Sequence, residues 1–200
     1  GLVLPPKIAP TKVIIIPIGK LDKDDVLKNA CKSISTSLNG INITNIIDTT
    51  DKTPGFKFAE AEVKGYPIRI ELGPRDLKEN LVTLVRRDTL EKIQVEIDKI
   101  NEVIPELLEK IQENLYNRAL KRRDSMLYTA QTFDELKSIS MTKPGFILVD
   151  WCGSVECENR VKDELGLKSR CIPMGNEVSN GKCAICGRDA KYKVYFGKQY

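Results

Sequence analysis

Apolar positions along the first hundred residues switch repeatedly between two periods. Thr11 to Ile18 is β-branched and apolar throughout, the pattern of a strand buried on both faces. Asp22 to Leu38 follows with helical spacing through Val26, Ala30, Ile34 and Leu38, and Asp22, Asp24 and Asp25 lie where negative charge suits a helix N-terminus. Ile41 to Ile47 reads as a second strand. Thr53 and Pro54 then open a helix as cap and first residue, and Gly65 closes it. Tyr66 to Leu72 alternates as a third strand, ended by the turn Gly73-Pro74-Arg75-Asp76. Leu81 to Val85 is a fourth strand, and Lys92 to Ile97 a short further one. Strands interleaved with helices imply an open α/β sheet, not a β sandwich.

From Asn101 the pattern changes. Ile104, Leu107, Leu108, Ile111, Leu115, Ala119 and Leu120 form one stripe on a long helix with Pro105 near its start, and its other side is charged, including Lys121-Arg122-Arg123. Thr132 and Glu135 have capping-box spacing, so a short helix starts there. Gly145 to Trp151 is again a strand and runs into Cys152, with a helix around Val155 to Leu165 beyond it. This divides the chain into a first domain over 1–100, a connecting helix over 101–130 and a smaller α+β domain over 131–200.

Composition narrows the function classes. Net charge is +4, so nucleic-acid contact must come from a local surface and not from the chain as a polycation. No apolar run is long enough to span a membrane, and the opening Gly1-Leu2-Val3-Leu4-Pro5-Pro6 lacks the build of a signal peptide. An opening inside apolar sequence suggests a piece of something longer. Histidine is absent, which removes the commonest general base and nitrogen ligand, and no catalytic residues are expected here.

Five of the six cysteines fall between 152 and 186. Cys152 and Cys157 are separated by four residues, Cys183 and Cys186 by two, and 25 residues lie between the pairs. Cys183-Ala184-Ile185-Cys186-Gly187 has the tight turn and following glycine of a zinc knuckle. Four thiolates leave no open coordination position, so such a site is structural. The competing interpretation is a set of ordinary buried thiols or a redox pair, and spacing in a chain without a signal sequence favours zinc. Cys171 has no close partner and is expected to stay free, while Cys31 reads as a small core residue.

Arg69, Arg75, Arg86, Arg87 and Lys92 fall at or near strand ends of the first domain, with Phe58 and Glu62 one helical turn apart on the preceding helix. Such a set can stack an unpaired base, address its edge and hold phosphate. The alternative is a solvated charged surface over a core Phe. Lys182, Arg188, Lys191, Lys193 and Lys198 make a second basic stretch.

Several segments together resemble the C-terminal part of prolyl-tRNA synthetases of the archaeal/eukaryotic type. Gly1 to Pro10 resembles the exit from that family's catalytic domain. Thr53-Pro54-Gly55-Phe56-Lys57-Phe58 and Glu71-Leu72-Gly73-Pro74-Arg75-Asp76 resemble its anticodon-binding domain. Cys152 to Cys186 has the spacing of its zinc-binding domain, and Tyr195-Phe196-Gly197-Lys198-Gln199-Tyr200 resembles its ending. The resemblance implies an open mixed sheet flanked by helices, followed by a smaller α+β zinc-binding domain. It implies a cytoplasmic class II ligase that joins proline to tRNA(Pro) with ATP and Mg as a homodimer, its catalytic core and dimer contacts lying before Gly1. By motif position it implies anticodon contacts from Phe58, Glu62, Arg69, Arg75 and Lys92, zinc ligation by Cys152, Cys157, Cys183 and Cys186, and a tail at Tyr200 that reaches toward the active site. A free-standing RNA-binding accessory protein built from the same modules is the alternative.

Overall fold

A computed structural model describes residues 1–175 and 177–198, and the tail at Tyr200 lies outside the described residues. The chain divides into two compact units, Gly1–Arg118 and Ala119–Tyr200.

In the first unit, β1 (Val13–Pro17) leads to α1 (Asp25–Gly40), β2 (Asn45–Ile47), α2 (Pro54–Lys64) and β3 (Ile68–Leu72). A short helix α3 (Pro74–Lys78), β4 (Leu81–Arg86), β5 (Lys92–Glu96) and the start of α4 (Ile100–Asp124) complete it. The strands form one mixed sheet in the order β2-β1-β3-β4-β5. β1 is parallel to both neighbours, whereas β3, β4 and β5 are antiparallel in sequence.

Alternation along the strands sorts side chains between the two faces. Val13, Ile15, Ile68, Ile70, Leu72, Val82 and Leu84 pack with α1 and with Ile100, Ile104, Leu107 and Ile111 of α4. The start of the long helix is therefore part of this unit's core. Ile14 and Ile16 point to the opposite face, where Ala61, Phe58 and Tyr66 cover them.

Three local expectations change. The buried stripe of α1 is Leu27, Cys31, Ile34 and Leu38, while Val26 is 72% exposed. A strict repeat of four drifts around a helix of 3.6 residues per turn, and alternating steps of four and three hold the face. The strand expected from Ile41 shrinks to Asn45–Ile47, because Ile41 ends α1 and Asn42 turns the chain at φ 60. Gly73 to Asp76 begins α3 instead of a bare turn, with the Gly73 N–H donating to Asp76 Oδ2 at 2.8 Å. Thr53 occupies the cap of α2 but makes no side-chain capping bond, whereas Gly65 takes the expected left-handed conformation at φ 78.

The second unit runs β6 (Leu127–Ala130), α5 (Phe133–Thr142), β7 (Phe146–Trp151), α6 (Val155–Leu165), β8 (Leu167–Cys171) and β9 (Tyr192–Lys198). Its sheet has the order β6-β7-β9-β8, with β6 parallel to β7 and the other pairs antiparallel. Thr132 Oγ1 accepts from the Glu135 N–H at 3.2 Å, and Glu135 reaches back to the N–H of Gln131 at 2.8 Å. Leu136, Ile147, Val149, Val161, Leu167 and Phe196 form the core together with Cys152, Cys157 and Cys183.

Candidate nucleic-acid interface and metal centre

The α2 face of the first sheet is apolar on β1 and polar farther across. Strand register aligns Ile14, Arg69, Val85 and Lys92 in one row and Ile16, Glu71, Thr83 and Gln94 in the next. Helix α2 covers the isoleucine end of these rows. The remainder presents Arg69, Glu71, Thr83, Lys92 and Gln94 beside Phe58 and Glu62.

Four of the five expected base-contacting residues meet there. Arg69 donates through Nε to Glu71 Oε1 at 3.0 Å and pairs through NH2 with the same oxygen at 2.9 Å. Its NH1 reaches Glu62 Oε1 at 3.1 Å and the Phe58 carbonyl at 3.4 Å. The guanidinium carbon lies 4.5 Å from the centre of the Phe58 ring, a cation–π distance. Lys92 Nζ pairs with Glu71 Oε2 at 3.1 Å. Among the described residues no hydrogen bond or ion pair joins Arg75 to this group, and it stands exposed on α3.

Glu71 holds the group together, although only its neighbours were singled out from the sequence. Its position two residues after Arg69 on one strand, hence on the same face, was the available signal.

Arg86 and Arg87, expected on the same basic surface, are committed elsewhere. Arg86 aligns with Ile68 and so faces α4, where Nε and NH2 bind the two oxygens of Asp88 at 3.0 and 2.8 Å. Asn114 of α4 donates to the same carboxylate at 2.6 Å. Burial pushes the Asp88 carboxyl up, but Arg86 and Asn114 outweigh it and hold it below the usual range. Arg87 Nε donates to the Glu62 carbonyl at 3.2 Å, which fixes the end of α2.

In the second unit, Cys152 follows β7 and Cys157 sits in the first turn of α6, where the Ser154 hydroxyl accepts from the Cys157 N–H at 3.3 Å. Cys183 and Cys186 bracket a tight turn closed by the Gly187 N–H on the Cys183 carbonyl at 2.8 Å, with Gly187 at φ 73. The Ala184 N–H donates to the Asp150 carbonyl at 2.9 Å, tying that turn to β7.

Cys152 Sγ lies 3.7 Å from Cys157 Sγ and 3.8 Å from Cys186 Sγ, and the four sulfurs all fall within 4.8 Å of one another. A tetrahedral ion about 2.3 Å from each thiolate places the sulfurs about 3.8 Å apart, so the quartet fits a structural metal. As thiols the four differ. Burial pushes Cys157 up to about 12, whereas the Arg188 side chain, donating to Cys186 Sγ at 3.3 Å, brings that thiol down to about 6. Cys171 is exposed at the end of β8 and outside the quartet, and Cys31 is buried in α1.

Comparison with known proteins follows this division. Residues 12–107 match the family described as anticodon binding domain, and residues 133–200 match prolyl-tRNA synthetase, C-terminal. A proline–tRNA ligase of Clostridium novyi (strain NT) is 45% identical over 205 residues, covering 100% of this chain and 41% of its own length. Proline–tRNA ligase 2 of Bacillus thuringiensis (strain Al Hakam) is 46% identical over 204 residues, with the same coverage of 100% and 41%. The chain thus spans about two-fifths of the length of these curated relatives. The crystal structure of prolyl-tRNA synthetase from Cryptosporidium parvum complexed with L-proline and AMP superposes with a TM-score of 0.91 at 35% identity, covering 100% of this chain and 43% of that one. Residues 12–107 are thus similar to anticodon binding domains and residues 133–200 to the C-terminal part of prolyl-tRNA synthetases, in a chain that aligns throughout with proline–tRNA ligases.

Proposed function

We propose that this chain reads the anticodon of tRNA(Pro) for a proline–tRNA ligase and is braced by a zinc ion at Cys152, Cys157, Cys183 and Cys186. The observation that carries the proposal is the polar strip across β3, β4 and β5. It lies within the anticodon-binding segment and sets an aromatic ring, two carboxylates and two cations on one face. Unpaired RNA bases are recognised by stacking on such rings and by hydrogen bonds along their edges. Guanine presents acceptors at O6 and N7 that suit a cation, and N–H donors that suit a carboxylate. Phe58, Glu62, Arg69 and Lys92 form the base site in this reading, and Arg75 meets the same RNA from α3.

Proline activation with ATP and Mg, and homodimer contacts, belong to the part of the relatives' length that this chain does not span. The working place is the cytoplasm, where tRNA is charged. Among the described residues no helix is long and apolar enough to cross a membrane. The cysteine quartet and the whole-chain likeness to the Cryptosporidium parvum enzyme favour the archaeal/eukaryotic type. Since the curated relatives named above are bacterial, that type denotes an architecture and not a source.

The test compares binding of a proline tRNA transcript with that of a transcript whose anticodon is altered. A preference for the proline anticodon is expected, and equal binding would sink the reading. Elemental analysis should find about one zinc per chain.

A further inference from the structure

The cysteine quartet is closed on one side and open on the other. Cys152, Cys157 and Cys183 are 9%, 4% and 2% exposed, whereas Cys186 stands exposed to solvent. A cavity of about 560 Å3 opens onto Cys152 and is lined as well by Ser154, Lys182, Arg188, Asp189 and Lys191. Lys182 is paired with Asp189 at 2.6 Å, so Arg188 and Lys191 give the cavity its surplus positive charge. Two of the four sulfur-bearing residues are thus within reach of a small solute, and both are reached beside cations.

Arg188 joins the two features. Its Nε donates to Cys186 Sγ at 3.3 Å, and its NH2 approaches Ser154 Oγ at 3.5 Å. An exposed sulfur held against a cation is a reactive thiolate, whereas sulfurs sunk in a core are inert. A second sulfur close by converts the first oxidation product into a disulfide before it oxidises further. Cys152 Sγ, 3.8 Å from Cys186 Sγ, is placed to do this. The gap closes to the disulfide length of about 2.05 Å by movement of the exposed side chain, with Cys157 and Cys183 left in the core. Cys171 is exposed too, but it lies outside the quartet and has no such partner among the described residues.

We infer that the quartet is a reversible redox switch: a hydroperoxide oxidises Cys186, Cys152 resolves the product as a Cys152–Cys186 disulfide, and the metal is released. The inference rests on the metal reading of the quartet given above. In the first step the Cys186 thiolate attacks one oxygen of hydrogen peroxide, the O–O bond breaks, hydroxide leaves, and Cys186 becomes a sulfenic acid. In the second the Cys152 thiolate attacks that sulfur and expels the other hydroxide. Two thiolates have then lost two electrons, and the peroxide has gained them. Arg188 offsets the charge of the departing hydroxide. Cys157 and Cys183 alone do not complete a tetrahedral site, so the ion is no longer held. A dithiol restores the two thiolates by exchange and is itself oxidised to a disulfide.

The experiment uses the zinc-loaded chain carrying Cys171→Ser, which removes the exposed thiol outside the quartet. Hydrogen peroxide is added beside a chromophoric chelator too weak to strip the intact site, and free thiols are then blocked and mapped by mass spectrometry. Release of about one zinc per chain is expected, with a Cys152–Cys186 disulfide in the map. Dithiothreitol with added zinc should bring back the melting transition of the second unit. Zinc retained until cysteines are over-oxidised, a disulfide at any other pair, or release that the dithiol does not reverse overturns the inference. Cys186→His keeps a zinc-ligating nitrogen but has no thiol, so its release should be about tenfold slower or more. Release as fast as from the four-cysteine site overturns the inference as well. Where Cys186→His takes up no zinc, the disulfide map of the Cys171→Ser chain decides alone. A chain that holds no zinc before peroxide is added brings down the metal reading itself, a separate result from these.

Discussion

Arg69 lies with its guanidinium carbon 4.5 Å from the centre of the Phe58 ring, on a strand and a helix that the chain reaches eleven residues apart. The ring is half-buried, and Lys92 Nζ lies 5.9 Å from its centre as well. Replacing Phe58 by Leu keeps apolar cover over β1 but removes the π surface. Binding of an RNA hairpin carrying the anticodon loop should weaken by about 1–3 kcal/mol, the usual contribution of one base stacked on an aromatic ring. Unchanged affinity in titrations at fixed salt would show that no base stacks there.

Arg75 should behave differently, because it stands apart from the Arg69, Glu71 and Lys92 contacts and is exposed on α3. Arg75→Ala is expected to weaken binding to every hairpin alike and to lower the slope of log K against log salt by about 0.7, as expected for one lost phosphate contact on a single strand. A changed preference between anticodons would place Arg75 among the base readers instead.

The Arg86–Asp88–Asn114 contacts predict an acid sensitivity of the first unit. Asp88 has its carboxyl held below the usual range in the folded chain, so ionisation stabilises the fold at pH values above the unfolded value of about 4. That contribution is lost as pH falls through the folded value. Asp88→Asn should therefore cost about 2 kcal/mol near neutral pH. Urea midpoints of the two proteins should begin to draw together near pH 4 and converge once pH has fallen through the lower folded value. Parallel curves across the whole range would rule this account out.

The metal quartet contributes three of its four cysteines to the buried core of the second unit. Chelation, or Cys183→Ser, should therefore melt that unit at a lower temperature while leaving the first unit's transition in place, as calorimetry can show. Loss of both transitions together, or of neither, would contradict a local brace.

Arg188 extends that prediction to the surroundings of the metal. Its Nε meets Cys186 Sγ at 3.3 Å and its NH2 approaches Ser154 Oγ at 3.5 Å, and Ser154 in turn caps the turn bearing Cys157. Four thiolates around a divalent ion carry excess negative charge, which one guanidinium offsets. Arg188→Ala should weaken metal binding about 10- to 100-fold in competition with a chromophoric chelator. An unaltered affinity would reduce Arg188 to a surface charge.

Much of this was legible along the chain because local rules dominate where apolar periodicity is long. Helix α6 was read at Val155 to Leu165, where Ser154 caps its start and Gly166 ends it. The cysteine quartet was legible because thiolate spacing constrains a turn directly. β6 and β9 were not read as strands, since Leu127–Ala130 is short and Tyr192–Lys198 interleaves lysines with aromatics. Their order depends on pairing with β7, a long-range choice that periodicity does not record. Arg86 misled for a related reason. Its place near a strand end suggested a ligand surface, but the face it occupies follows from register with Ile68, and that face belongs to α4.

β5 forms one rim of the first sheet, with Lys92, Gln94 and Glu96 exposed along its five residues. A rim strand with open backbone groups invites pairing with another chain, and charged side chains along it discourage that pairing. The charges of Lys92 and Glu96 along this rim work against such pairing. Neutralising Lys92 threatens the solubility of the folded chain as well as its binding, and loss of affinity in such a variant has meaning only in a sample shown to be monodisperse.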